Sequence, residues 1–181
     1  MARYRLIIFV LSLMMAMEGH LLQAAGPSDF SGTLTLDLKA PEATSLAAIL
    51  EARGASLIER KAVDTLSITQ VITQTEKTLS IKAGTAIGSR TRVLYLDGST
   101  QIQDTERTGK VESRSFWDKD GTVLVTVSKS ASPDGQKQDS KKGEYTTRRY
   151  LQDEGRTLIV DHVLTLEDGR KLTAKRVLRK Q

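Results

Sequence analysis

The sequence predicts an all-β domain of about ten antiparallel strands, arranged as a barrel or a sandwich, with two short helices after the first strand. Polar and apolar residues alternate along most of the chain after residue 63, and turn residues interrupt this alternation about every ten residues. Asp-Gly pairs at 97–98, 120–121 and 168–169 each separate two alternating segments, where glycine can adopt the positive φ of a tight hairpin. Both observations predict a meander of hairpins.

The N-terminal segment has the pattern of a secretory signal peptide. Arg3 and Arg5 precede an apolar run from Leu6 to Met17, which is too short to span a bilayer. The small residues at positions 24 to 26 supply a cleavage site. We therefore assign residues 1–25 to a signal peptide and expect a periplasmic or secreted protein without stable membrane insertion.

The remaining chain, residues 26–181, has the length of a single domain with its own core. It contains no cysteine, which excludes disulfides and thiolate metal sites, and export without disulfides is typical of a bacterial envelope. The net charge of +5 falls to about +4 without the signal peptide, and basic residues alternate with acidic ones, so we expect no nucleic-acid partner. His162 is the one histidine left, which excludes a multi-histidine zinc site, and we expect no cofactor.

The first strand is followed by a segment with helical periodicity. Leu46, Ile49 and Leu50 have the spacing of a helix, with Pro41 as a candidate first-turn residue and Gly54 as the stop. A second short helix is predicted after Gly54, with Leu57 and Ile58 as its apolar contacts.

The strands are predicted from alternation between turn residues. The stretch 130–143 is charged and rich in turn residues, so we interpret it as an exposed loop within one domain. The ten strand candidates are 30–38, 65–75, 78–83, 88–96, 99–105, 109–118, 122–129, 144–151, 157–166 and 170–179.

Three local motifs resemble those of the intracellular lipid-binding proteins, the fatty-acid-binding branch of the lipocalin-like calycin superfamily. The motifs are "FSGTLTL" (30–36), similar to F-x-G-T-W-x-L; "GASLIERKAV" (54–63), similar to G-x5-R-K; and "KRVLRK" (175–180), similar to the final R-x-Y strand. Leu34 and Leu178 replace the Trp and the Tyr of the family pattern. The resemblance implies an up-and-down antiparallel β-barrel of about ten strands, a helix-turn-helix between strands 1 and 2, and a fatty-acid-like ligand in the lumen.

An arginine interrupts the apolar row of the last strand, "KLTAKRVLRK". A three-residue loop at 167–169 pairs Leu164 with Leu172 and Val160 with Arg176, so that the apolar rows of the two strands coincide. A loop at 153–156 then pairs Arg149 with Val160. The two guanidinium stems would lie about 10 Å apart in one row across three strands, close enough to converge on a small anion.

We predict a ligand-binding site formed by Arg176, Arg149, His162, Val160 and Leu178, because a planar guanidinium can hold a carboxylate through two hydrogen bonds. The resemblance implies that Arg149 and Arg176, on the eighth and tenth strands, hold the ligand carboxylate. Three alternatives remain open. Arg176 can extend to the barrel rim, it can pair with Glu144 or Asp161 in a register shifted by one residue, and His162 can be an ordinary core histidine.

The sequence thus predicts a monomeric, non-catalytic binding protein for a small hydrophobic or fatty-acid-like ligand. The alternative is an envelope protein-protein interaction or inhibitor module with a filled barrel, whose loop 130–143 contacts the partner. We do not expect an enzyme, because no nucleophile and base occur at an informative spacing, and Asp161 leaves its strand on the face opposite His162.

Overall fold

The computed structural model describes residues 27–86, 88–105, 109–130 and 143–181. The predicted signal peptide and residues 131–142 of the predicted loop lie outside these ranges.

Ten strands and two short helices form the described structure. The helices are α1 (Ala47–Ala52) and α2 (Leu57–Ala62), and a single 3-10 turn covers Asp153–Gly155. The strands are β1 (Gly32–Leu36), β2 (Thr69–Gln74), β3 (Thr78–Thr85), β4 (Gly88–Tyr95), β5 (Thr100–Thr105), β6 (Gly109–Trp117), β7 (Leu124–Ser130), β8 (Gly143–Gln152), β9 (Thr157–Leu166) and β10 (Lys171–Lys180).

The strands form one antiparallel sheet in the order β4-β3-β2-β1-β10-β9-β8-β7-β6-β5. Consecutive strands are neighbours in the sheet except β4 and β5, and pairing between β1 and β10 turns the sheet into a nearly closed barrel. The predicted up-and-down barrel of about ten strands, with a helix-turn-helix between strands 1 and 2, is confirmed.

The barrel has a gap between β4 and β5, the two ends of the sheet order. The side chain of Gln101 spans this gap. Its Oε1 accepts a hydrogen bond from the Tyr95 backbone N–H at 2.9 Å, and its Nε2 donates to the Val93 carbonyl at 3.3 Å. A side-chain amide therefore replaces part of the missing backbone ladder.

The predicted register of the last three strands is confirmed. Arg149 pairs with Val160, and Val160 pairs with Arg176. The hairpin between β9 and β10 closes as expected, because the Leu166 N–H donates to the Arg170 carbonyl at 2.9 Å and Gly169 has a φ of 81°.

Close packing fills the end of the barrel away from the helices, which we call the closed end. Phe30 stacks on Trp117 with ring centroids 5.4 Å apart. Burial of each large apolar side chain contributes about 1.5 to 3 kcal/mol. The other buried members of this cluster are Leu34, Ile72, Leu79, Ile81, Leu94, Leu96, Leu124, Leu158, Val160 and Leu178.

The helices cover the opposite end and form a helical lid. Ile49 and Ala52 of α1 pack against Leu164, Leu166 and Ala174 from β9 and β10. The lid is thus held mainly through one side of the barrel.

Two details of the helix prediction are wrong. Pro41 lies in a turn well before α1, which begins at Ala47, although Gly54 ends that helix with a φ of 76° as expected. Leu57 and Ile58 are 57% and 81% exposed and lie mostly in solvent. Because Arg60 binds Glu51 of α1 at 2.8 Å, α2 presents a charged side to α1 and turns these two residues to solvent.

The residues between β1 and α1, 37–46, form an arm on the outside of the barrel. The Asp37 N–H donates to the Val177 carbonyl at 2.8 Å, and the Thr44 N–H donates to the Lys175 carbonyl at 2.9 Å. Between these two points, Ala40 packs against Ile159 and Val177. The arm therefore buries outward-facing apolar residues of β9 and β10.

Candidate ligand-binding site

Hydroxyl side chains line the inner face of β6, β7 and β8. Ser115 pairs with Thr126, Thr126 with Thr147, and Thr147 with His162 of β9, so one row of polar side chains crosses four strands. In the neighbouring row on the same face, Ser113 pairs with Ser128. We call Ser113, Ser115, Thr126, Ser128 and Thr147 the hydroxyl wall; all five are buried.

Arg149 is held inside the barrel by this wall. Its residue is 8% exposed, and its Nη1 donates to Thr147 Oγ1 at 2.8 Å and to Thr126 Oγ1 at 3.4 Å. Ser115 and Thr126 share a further hydrogen bond of 2.9 Å. The described residues place no carboxylate within ion-pairing distance of Arg149.

The buried guanidinium of Arg149 remains positively charged at neutral pH. Burial, and then the positive charge of Arg92, lower the pKa of Arg149 to about 10. Burying a charge without a counter-ion is costly, and neutral hydroxyl partners offset only part of that cost. Arg149 is therefore a site that an anion would stabilise.

Tyr145 and His162 lie next to Arg149 and carry no charge near neutral pH. The Tyr145 hydroxyl and His162 Nδ1 share a hydrogen bond of 2.5 Å. Burial, followed by the charges of Arg149 and Arg176, lowers the pKa of His162 to about 3, and burial raises the pKa of Tyr145. This pair supplies polar atoms but no negative charge.

Two further arginines, Arg53 and Arg92, were not among the predicted site residues; with Arg149 they form what we call the positive cluster. Arg92 pairs with the buried Ile81 and faces inward from β4, and its Nε is enclosed without a hydrogen-bond partner. Arg53, just after α1, places its Cζ 4.7 Å from the centroid of the Tyr145 ring. A signal for Arg92 was present, because it shares an apolar row of its strand with Leu94, as Arg176 does with Leu178.

Arg176 has a partner of its own. It faces inward from β10, but its Nη1 lies 3.3 Å from Oδ1 of Asp64 and its Nη2 donates to the Val63 carbonyl at 2.8 Å. The alternative partners considered from the sequence are wrong, because Glu144 pairs with Lys129 and Asp161 with Lys175. Arg176 therefore faces inward, as the register requires, and pairs with a carboxylate just after α2.

The remaining predicted site residues belong to the packed closed end. Val160 and Leu178 are 6% and 1% exposed, and Leu178 lies one row further from the lid than Arg176. Their contribution to ligand binding stays a prediction, as do those of Arg149, His162 and Arg176. The structure brings Arg149 and His162 together with Arg53 and Arg92, and it ties Arg176 to the lid.

Solved structures with the same architecture include three that cover most of the chain. They are REP1-NXSQ, a fatty acid transporter (TM-score 0.62, 16% identity, 84% of this chain and 96% of that one), human cRBP IV (0.62, 19%, 86% and 100%), and apo lipid binding protein 8 of Caenorhabditis elegans (0.65, 11%, 84% and 95%). The protein has the fatty-acid-binding-protein fold. Neither a family model nor a curated protein matches the sequence.

Within this fatty-acid-binding-protein fold, the positive cluster lies between the lid and the closed end. In the described part of the chain, no group of three or more His, Asp or Glu side chains could hold a metal ion. None of the described helices is long and apolar enough to cross a membrane. The chemistry that the cluster offers is the binding of an anion beside apolar side chains.

Proposed function

We propose that the protein is an exported, non-catalytic binding protein for a small hydrophobic anion, such as a fatty acid, held inside the barrel. One observation supports this most strongly: Arg149 is buried and has only hydroxyl partners within the described structure. An anionic head would supply the missing negative charge through charge-assisted hydrogen bonds.

Apolar side chains lie beside the positive cluster on the inner face of the barrel. Ile81 of β3 pairs with Arg92, and Leu164 and Leu172 face the interior from β9 and β10. A ligand with a charged head and an apolar tail therefore meets complementary chemistry within this region.

Displacement of a fluorescent fatty-acid probe tests this function. We expect the mature protein to bind the probe and Arg149→Met to weaken binding about tenfold, as loss of a charge-assisted contact implies. Arg148→Met is the matched control, because Arg148 is the exposed neighbour on β8 and should leave binding unchanged. Thermal unfolding of each variant verifies that it is folded. Absence of probe binding to the wild type would refute the proposal.

Export rests on the N-terminal pattern of Arg3, Arg5 and the apolar run from Leu6 to Met17. The full chain, expressed in a Gram-negative host, should appear in the periplasmic fraction with its N-terminus near Ala25 or Gly26. Arg3 and Arg5 changed together to Glu should reduce this processing. An unprocessed chain in the cytoplasm would contradict export.

The closed end supports a second candidate, the interaction or inhibitor module with a filled barrel. Leu79, Leu124 and Leu158 are fully buried there, so the protein's own side chains occupy this end of the interior. This candidate predicts that apolar anions bind no better than to a control protein, while a protein partner co-purifies from the native host. The probe experiment therefore separates the two functions.

A further inference from the structure

The three arginines of the positive cluster lie between the helical lid and the closed end, and none of them has an acidic partner among the described residues. Arg53 comes from the end of α1, Arg92 from β4 and Arg149 from β8. Electrostatic interactions link Arg92 to both of the others. The described residues contain no carboxylate within ion-pairing distance of any of the three.

The neighbouring groups do not neutralise this charge. Tyr145 lies under Arg53 and hydrogen-bonds His162, and neither side chain is negative. Arg176 already has Asp64 as its counter-ion, so it neither adds to nor reduces the excess. A single carboxylate would offset the charge of one guanidinium and leave two uncompensated.

Resting on the proposed function, we propose that the head of the ligand is a dianion of the phosphate monoester class, bound by Arg53, Arg92 and Arg149. A phosphate monoester carries a charge of about −1.5 to −2 near neutral pH and has three strong acceptor oxygens. Guanidinium groups bind such oxygens in bidentate pairs, so three arginines from three elements can surround one phosphate. The enclosed Nε of Arg92, which has no partner, is a donor available for one of these bonds.

Ligands with the same tail and different heads test this proposal. Isothermal titration of the mature protein at pH 7.5 and low salt would compare decyl phosphate, decyl sulfate and decanoate, with inorganic phosphate as a ligand without a tail. We expect decyl phosphate to bind at least about tenfold more tightly than the two single-charged ligands, because it engages more of the cluster.

Variants of the cluster identify the residues involved. Arg92→Gln should weaken decyl phosphate binding about tenfold and decanoate binding by a clearly smaller factor. Arg114→Gln is the matched control, since Arg114 is exposed on the outer face of β6. Arg92→Lys is a second variant, which keeps the positive charge and removes the bidentate guanidinium. The comparison of ligands on the wild-type protein does not depend on the folding of any variant.

The outcomes separate this proposal from the function on which it rests. The proposal of a dianionic head would be overturned if decanoate or decyl sulfate bound as tightly as decyl phosphate. Equal losses of affinity for all three ligands in Arg92→Gln would overturn it as well. Either result would leave the proposed binding function standing. Failure of every tailed ligand to bind would refute the binding function itself. If inorganic phosphate bound as tightly as decyl phosphate, the result would support a site for a dianion and contradict a contribution of the apolar tail to binding.

Discussion

The carboxylate of Asp64, two residues after α2, lies 3.3 Å from the guanidinium of Arg176, which faces into the barrel from β10. The Ser45 hydroxyl, just before α1, donates to the other oxygen of the same carboxylate. One acidic side chain thus joins both ends of the helical lid to the tenth strand.

We expect Asp64→Asn to lower the free energy of unfolding by about 1 to 3 kcal/mol, because it leaves Arg176 buried without its counter-ion. Urea denaturation measures this loss. Glu144→Gln is the control, since Glu144 forms an exposed pair with Lys129 and should cost less than about 1 kcal/mol. Equal, small losses in both variants would show that the Asp64 contact is not stabilising.

Thr147→Val should destabilise the fold by about 1 to 3 kcal/mol, because it removes the closest hydrogen-bond partner of Arg149 without changing the volume much. It should also weaken binding of the fatty-acid probe, since Arg149 loses its fixed orientation. Thr146→Val, the neighbouring residue on the outer face of β8, provides the control. Unchanged stability and affinity in Thr147→Val would exclude this positioning role.

The stability of the protein should fall as the pH drops below 6.5, partly because of His162. The pKa of His162 is lowered from 6.5 to about 3 by burial, so the unfolded chain binds a proton in this window while the folded chain does not. Stability from this group is therefore complete above pH 6.5 and lost progressively toward pH 3.

Comparison with His162→Gln isolates this effect. Between pH 7 and pH 5 the wild type should lose about 1 to 2 kcal/mol more than the variant in urea denaturation. The prediction would be contradicted if an NMR titration of the His162 imidazole in the mature protein gave a midpoint near pH 6.5.

Gln101→Ala should loosen the gap between β4 and β5 without unfolding the barrel. The amide proton of Tyr95 bonds the Gln101 side chain, so its hydrogen exchange should accelerate about tenfold, while the cost in global stability stays near 1 kcal/mol. Gln103→Ala, on the same face of β5, is the control. Unchanged exchange at Tyr95 would mean that the side-chain bridge does not protect this edge.

The register of β8, β9 and β10 was predictable because local signals fix it. Gly169 permits one tight loop, and the pairing of Leu164 with Leu172 matches two apolar rows, which a shift of one residue would separate. The pairing of Arg176 with Val160 follows from these two constraints, and the loop at 153–156 adds Arg149 to the same row.

The partner of Arg176 could not be found in this way. Asp64 lies in the connection after α2, and its distance from β10 depends on how the helices rest on the barrel, for which neither alternation nor turn chemistry carries a signal. The exposure of Leu57 and Ile58 has a similar origin, because the Arg60–Glu51 contact between two helices sets the orientation of α2.

The arm of residues 37–46 has a consequence for movement of the lid. The arm is fastened to β10 at Asp37 and again at Thr44, and the Lys175 N–H returns a bond of 2.8 Å to the Thr44 hydroxyl. Because this segment is held at two points, we expect any outward movement of the helices to pivot at residues 45 and 46. We therefore expect a ligand to enter through movement of the helices alone, while the arm stays bound to β10 and β1 stays paired with β2 and β10.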